Sequence, residues 1–154
     1  MSGAGHDART VRLIVVHHSA SDPFVTRVGT IQAWHAARFK FGIGYHRVIE
    51  RDGFVMDGRK IQRSGAHAPP NANRLGICAV GWNGNENHTS WAWTRTQWRS
   101  LVNELHYWCA RLPTAMVCGH NQTRATLCPG LDLEARLLEY GFEHRDRIVS
   151  GRAV

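Results

Sequence analysis

The sequence predicts one domain of the α/β (α+β) class, with a central mixed β-sheet flanked by helices. Apolar runs of strand length alternate with segments whose apolar residues recur at helical spacing. The chain has 154 residues, the length of one domain, and its 43% hydrophobic and 20% charged residues are typical of a globular protein. We expect the domain to span residues 11–142, between a flexible N-terminus (1–10) and a polar C-terminal tail (143–154).

The first half of the chain contains three predicted units. Residues 11–17 are a continuous apolar run, which is typical of a buried central strand. Thr30 is expected to cap a helix that runs to about Phe39 and carries Ile31 and Trp34 on its buried face. Residues 45–50 and 54–56 flank an Asp-Gly pair, so we expect them to form a β-hairpin.

The second half continues the alternation of strands and helices. Residues 75–82 form another apolar strand. Thr94 and Gln97 have the spacing of a capping box and precede a long helix with a buried stripe that includes Trp98 and Trp108. A short strand at residues 115–118 follows, and Asp132 caps a last helix that ends at Gly141.

Charge and cysteine usage narrow the possible partners. The chain has 19 Lys+Arg against 12 Asp+Glu, a net charge of +7, which favours an anionic partner. The positive charges are scattered rather than grouped, so we expect no nucleic-acid binding. The sequence has neither a signal peptide nor a run of transmembrane length, and we expect cytoplasmic synthesis without stable membrane insertion. Its four cysteines are expected to be free thiols or metal ligands.

A histidine and a cysteine eight positions apart form the sharpest chemical signal. His120 and Cys128 flank a short polar loop, and the His17-His18 pair at the end of the first strand offers a third ligand. Catalytic zinc sites use three protein ligands and keep a fourth position for water. The apolar pattern does not decide between His17 and His18, because both alternating faces are apolar. A rival pair, Cys118 with His120, would make a closed structural site.

Three tryptophans and one further histidine are candidates for contact with a ligand. Trp82, Trp91 and Trp93 flank a polar loop, where indole faces can stack on sugar rings. His67 lies in a loop rich in Gly, Pro and Asn, and a polar residue there has room to meet a ligand.

Taken together, these segments resemble the zinc-dependent N-acetylmuramoyl-L-alanine amidases. That family includes phage endolysins, bacterial recycling amidases and animal peptidoglycan recognition proteins. The resemblance implies an amidase/peptidoglycan-recognition-protein-like fold. The matching segments follow the order of the family and cover residues 11–140; they are residues 15–20, 44–49, 51–53, 66–68, 75–77 and 120–130.

The resemblance also implies roles for individual residues. His17, His120 and Cys128 match the ligands of the Zn²⁺ ion, and Tyr45 and Thr126 match the two catalytic positions. Many phage and bacterial members carry lysine where this chain has threonine, so a positive charge is not available at that position.

The resemblance implies that His67 lies in the substrate groove, and we expect Asn73 and Trp82 to contact the substrate as well. The implied reaction is hydrolysis of the amide between N-acetylmuramic acid and L-alanine of peptidoglycan, as a phage endolysin in host-cell lysis. We expect a monomer that depends on a holin to reach the wall. The alternatives are a cytosolic muropeptide-recycling amidase and a non-catalytic peptidoglycan-binding module. Non-catalytic relatives usually lose the cysteine ligand, and Cys128 is present.

Overall fold

The protein, described here as a computed structural model over residues 10–153, has a five-stranded sheet and three α-helices in that part of the chain. The predicted flexible N-terminus falls, apart from Thr10, outside the described residues. In chain order the elements are β1 (Leu13–His18), α1 (Val28–Ala36), β2 (Arg47–Ile49), β3 (Val55–Asp57), β4 (Arg74–Ala79), α2 (Arg95–Arg111), β5 (Met116–Gly119) and α3 (Leu133–Glu139).

The sheet is mixed, as the sequence predicts, with the strand order β3-β2-β4-β1-β5. Strand β1 pairs in parallel with β4 and β5, whereas β2 and β3 form the predicted antiparallel hairpin. Val16 lies beside Gly119 in the register, so the residues that follow them emerge at the same edge of the sheet. The parallel pairing therefore brings His17 and His120 together although about a hundred positions separate them.

Helix α2 packs a stripe of apolar residues into the main hydrophobic core. Its buried stripe includes Trp98 and Trp108, as predicted from the helical spacing. The capping box is present: the Thr94 hydroxyl accepts a hydrogen bond from the Gln97 backbone N–H at 3.1 Å, and the Gln97 side chain accepts one from Thr94 N–H at 3.0 Å. These bonds satisfy backbone donors that have no partner inside the helix.

Helix α1 differs from its prediction at both ends and in what it buries. It begins at Val28 rather than after Thr30, because the Glu50 carboxylate accepts the Val28 N–H at 2.9 Å and caps the helix from outside. It ends at Ala36, and Ile31 is its only buried residue. Trp34 is 48% exposed, so its predicted burial is wrong: a single three-residue spacing does not fix which side of a short helix faces the core.

The C-terminal segment differs from the loose tail expected from its polar composition. Ile148 is buried and pairs with Val117 of β5, and Val149 N–H donates to the Val117 carbonyl at 2.9 Å. The Arg147 guanidinium donates to the carbonyls of Leu112 and Ala115. Main-chain pairing and this guanidinium hold the segment against β5. Neither interaction requires an apolar pattern, so the sequence did not predict that this segment is ordered.

Within residues 10–153, no helix combines the length and apolarity needed to cross a membrane.

Candidate metal centre

An open cleft of about 460 Å³ lies at the carboxyl ends of β1 and β5. Loops that leave these strands deliver polar and aromatic side chains to the same place. The cleft is lined by His17, His18, Ser19, Ala20, Tyr45, His67, Trp82, His120, Thr126, Leu127 and Cys128.

Three side chains in this cleft have the arrangement of a metal site. One ligand atom each from His17, His120 and Cys128 lies within 4.8 Å of the other two. The Cys128 Sγ is 3.8 Å from His17 Nδ1. Tetrahedral zinc with Zn–S near 2.3 Å and Zn–N near 2.0–2.1 Å separates its ligand atoms by roughly 3.3–3.8 Å. Small side-chain adjustments would therefore let the three atoms share one ion.

His120 supports this interpretation independently. Its Nε2 is the one buried side-chain nitrogen or oxygen that lacks a hydrogen-bond partner in the described part of the chain. Burying a polar atom without a partner costs free energy, and such atoms are rare in folded proteins. A metal ion bound at this nitrogen would remove that cost.

Burial favours the neutral forms of all three candidate ligands. Burial raises the pKa of the Cys128 thiol to about 12 and lowers the pKa of His120. The neighbouring Arg124 and Arg74 charges also lower the pKa of His120, which keeps the ring neutral and its lone pair available. A coordinated thiol is deprotonated outright, so a divalent cation would reverse the effect of burial on Cys128.

The adjacent histidines of β1 take separate roles, which the sequence pattern left open. His17 is fully buried, and its ring lies between those of Tyr45 and His120, with centroids 5.1 and 4.5 Å away. His18 instead accepts a hydrogen bond from the Asn83 backbone N–H at Nδ1, at 3.2 Å. Its own backbone N–H donates to the Cys128 sulfur at 3.3 Å.

The two positions expected to be catalytic both lie at the cleft. Burial raises the pKa of Tyr45 well above its usual value, and the nearby Cys78 and Cys128 raise it further. The phenol therefore stays protonated and can donate a hydrogen bond. The Thr126 hydroxyl accepts the Cys128 backbone N–H at 3.3 Å, next to the ligand loop.

His67 lies at the floor of the cleft and is almost completely buried. Its Nδ1 is 2.9 Å from His17 Nε2, and its Nε2 is 3.3 Å from the Arg74 carbonyl. Burial, with a smaller contribution from the nearby His46, lowers the pKa of His67 to about 3, so the ring is neutral. Both ring nitrogens are engaged by the protein, unlike those of a residue that reaches toward a ligand.

Comparison with known proteins assigns the family. The profile of the N-acetylmuramoyl-L-alanine amidase family matches residues 7–131, most of the chain. The chain belongs to this family. As a member it is an N-acetylmuramoyl-L-alanine amidase, and it has the amidase and peptidoglycan-recognition-protein fold.

The amidase is similar to phage and animal proteins over most of its length. It is 33% identical to the endolysin of Escherichia phage T7 over 79% of this chain and 82% of that protein. It is 32% identical to a peptidoglycan-recognition protein of Drosophila melanogaster over 80% and 70% of the two chains. The solved structure of the N-acetylmuramoyl-L-alanine amidase LysC from Clostridium intestinale superposes with a TM-score of 0.76 and 27% identity, covering 93% and 95% of the chains.

Of the other two residues expected in the substrate groove, Trp82 lies at the cleft and Asn73 does not. Trp82 lies on the cleft wall and is 38% exposed, in position to meet a ligand. Asn73 lies at the opposite end of β4, where its carbonyl accepts the Arg12 N–H and its side chain accepts the Thr10 hydroxyl. The structure therefore does not bring Asn73 to the cleft. The sequence places Asn73 in the same loop as His67, but it does not show that Asn73 lies away from the cleft.

The remaining tryptophan and cysteine candidates do not line the cleft, and Trp91 stacks on the His88 ring instead. Trp93 is buried, and its indole N–H donates to the Ala79 carbonyl, so it belongs to the core. Cys118 is buried in a small apolar cluster with Val15. It is absent from the group of converging ligands, which disfavours the rival site built from Cys118 and His120.

Sequence analysis missed two residues that hold the site. The Asn83 side chain donates to the Pro129 carbonyl at 3.0 Å and thereby fixes the turn after Cys128. His35 accepts the Gly44 N–H at 2.9 Å, and its ring lies against Tyr45. Neither residue belongs to a motif or a periodic pattern. Only the packing of distant segments reveals them.

Proposed function

We propose that the amidase cleaves the bond between N-acetylmuramic acid and L-alanine with the help of one zinc ion held by His17, His120 and Cys128. The convergence of one ligand atom from each of these residues, together with the unpartnered His120 Nε2, carries the proposal. Imidazole and thiolate are the ligand types that zinc prefers. Three protein ligands leave a position for water, as in catalytic rather than structural zinc sites.

A zinc ion held by these residues would supply Lewis acidity at the scissile carbonyl and a water of lowered pKa near neutral pH. Two neutral imidazoles and one thiolate reduce the charge of the centre to about +1. This lower charge moderates the Lewis acidity and makes other stabilising groups in the cleft more important.

Tyr45 and Thr126 supply those groups in this proposal. The neutral phenol of Tyr45 donates a hydrogen bond to the carbonyl oxygen as it becomes negative, an interaction that is stronger in the transition state than in the substrate. Thr126 orients the ligand loop through its bond to Cys128 N–H, and the residue lines the cleft where water and substrate would meet. Trp82 forms the wall against which a glycan ring can stack.

We infer a role in phage lysis, with peptidoglycan as the partner. The similarity to the endolysin of phage T7 and the net charge of +7 both support this inference. A basic protein is attracted to an anionic wall polymer. In this account a monomeric amidase accumulates in the cytoplasm and reaches the wall after a holin opens the membrane.

The test compares two substrates under the same conditions. Purified Gram-negative sacculi and soluble anhydro-muropeptides are incubated with the zinc-loaded protein and with the Cys128→Ser variant. Mass spectrometry then follows stem peptides with a free L-alanine amine. Release from intact sacculi by the parent alone supports the proposal. Release only from soluble fragments favours a recycling amidase, and equal release by Cys128→Ser contradicts the metal centre.

A further inference from the structure

A chain of three contacts leads from the ligand cluster to a backbone carbonyl. Cys128 Sγ is 3.8 Å from His17 Nδ1, His17 Nε2 is 2.9 Å from His67 Nδ1, and His67 Nε2 is 3.3 Å from the Arg74 carbonyl oxygen. The two imidazoles meet nearly edge to face, with an interplanar angle of 86°.

The carbonyl at the end of this chain fixes the direction of every hydrogen bond in it. A carbonyl only accepts, so His67 Nε2 must carry the proton and donate. In a neutral imidazole the other nitrogen is then an acceptor, so His67 Nδ1 accepts from His17 Nε2. The remaining nitrogen of His17, Nδ1, keeps its lone pair, and this is the atom that faces Cys128.

The ring of His67 is held in place by groups other than His17. A Cβ atom on Gly76 would lie 2.7 Å from the ring's Cγ and Cδ2, and one on Gly65 would also overlap the ring. The Asn71 side-chain oxygen accepts the backbone N–H groups of His67 and Ala68, both at 2.9 Å. The imidazole therefore fills a slot between two glycines and offers a fixed acceptor to His17.

From this geometry we propose that His67 is a positioning residue, which holds the His17 ring with Nδ1 deprotonated and aimed at the metal. The inference rests on the proposed zinc site and reassigns His67 from the substrate groove to the support of a ligand. A metal-bound histidine commonly donates its other ring N–H to an acceptor, which orients the ring and strengthens the ligand. Here that acceptor is a second histidine.

Two variants of equal shape isolate the contact. His67→Asn keeps an oxygen acceptor near the position of Nδ1. His67→Leu has about the size of the Asn variant but no polar atom. Both variants lose the hydrogen bond to the Arg74 carbonyl. Zinc affinity of each purified protein is measured by competition with a chromophoric chelator. We expect His67→Leu to bind zinc about 10–100-fold more weakly than the parent and His67→Asn to recover most of that loss. A peripheral variant, His106→Leu, is the control and is expected to match the parent.

The outcomes separate this inference from the proposed function. If the parent binds zinc and His67→Asn and His67→Leu have the same zinc affinity as each other, the role of His67 is overturned while the metal site stands. If the parent binds no zinc, or Cys128→Ser binds it as tightly as the parent, the metal centre itself is contradicted.

A second measurement needs no variant and no metal. Nitrogen-15 NMR of the imidazole rings in the metal-free parent reports which nitrogen of each histidine carries the proton. We expect His17 protonated at Nε2 and His67 also protonated at Nε2. A His17 ring protonated at Nδ1 would overturn the inference, because that nitrogen could not then face a metal ion as a ligand.

Discussion

At the scale of single residues, the cleft combines a high-pKa thiol, neutral imidazoles and a neutral phenol in one buried place. Burial disfavours every charged form there, which raises the pKa of Cys128 and Tyr45 and lowers that of His17. Such a site gains its charge only when a cation arrives. Metal binding then releases the thiol proton, so the apparent affinity should rise with pH.

Removing the phenolic hydroxyl tests the part of the mechanism that belongs to the chain alone. The Tyr45→Phe variant is expected to fold, bind zinc as the parent does and lose about 10²–10³-fold in kcat, because one hydrogen bond to the developing oxyanion is lost. Steady-state hydrolysis of a soluble muropeptide, normalised to zinc content, measures the change. A kcat equal to that of the parent would exclude Tyr45 from the mechanism.

The sequence predicted the residues of the site better than their arrangement. Spacing proposed His120 with Cys128, but it could not decide between His17 and His18. The register of β1 against β5 determines that choice, and register depends on the whole sheet. The contact of His67 with His17 spans 50 positions, and no local pattern records it.

At the scale of elements, the N-terminus of α2 combines local and long-range bonds. The Thr94 hydroxyl both accepts the Gln97 N–H and donates to the Arg51 carbonyl in the hairpin turn, at 3.0 Å. The cap therefore links the longest helix to the turn between β2 and β3. The sequence predicts the first bond from its capping box, but only the fold supplies the second.

Loss of this cap should destabilise the protein measurably. We expect Thr94→Ala to lower the free energy of unfolding by about 1–2 kcal/mol, the range for a helix cap. Urea denaturation followed by circular dichroism measures the change, with Thr114→Ala, at an exposed turn, as the matched control. Equal stability of the two variants would show that the cap contributes little.

The C-terminal segment provides a second test at this scale. Ile148 buries its side chain beside β5, so Ile148→Ala should lower the free energy of unfolding by about 2–4 kcal/mol. The exposed Arg152→Ala is the control, with an expected change below about 0.5 kcal/mol. A loose tail, as expected from composition, predicts no effect of either variant.

Strands and capped helices were predictable because their signals are local. The Asp-Gly pair predicted the hairpin, and the capping residues Thr94 and Asp132 predicted the starts of α2 and α3. Helix α1 was predicted less well because its cap, Glu50, comes from another element. The same reason explains the C-terminal segment, whose order depends on pairing with β5.

At the scale of the whole molecule, buried neutral histidines make stability depend on pH. Burial, with a smaller contribution from the nearby His120, lowers the pKa of His18 to about 4. An unfolded histidine has a pKa near 6.5. Between these values the unfolded chain binds a proton that the folded chain does not, so the free energy of unfolding rises with pH. This stability is fully present above pH 6.5 and is lost as the pH falls toward 4.

We therefore expect the metal-free protein to become less stable from pH 7 to pH 4.5. His18→Asn should show a shallower dependence, because an amide oxygen can accept the Asn83 N–H without titrating. Urea midpoints at several pH values in the presence of a chelator measure the slopes. Identical slopes for the parent and His18→Asn would assign the pH dependence to other groups.

The most direct test of the account is the coordination of the metal itself. X-ray absorption at the zinc edge, on protein purified with stoichiometric zinc, reports the type and number of ligand atoms. We predict one zinc per chain with one sulfur near 2.3 Å and two imidazole nitrogens. The sulfur should disappear in Cys128→Ser and persist in Cys118→Ser. A zinc shell without sulfur in the parent, or with sulfur retained in Cys128→Ser, would contradict the account.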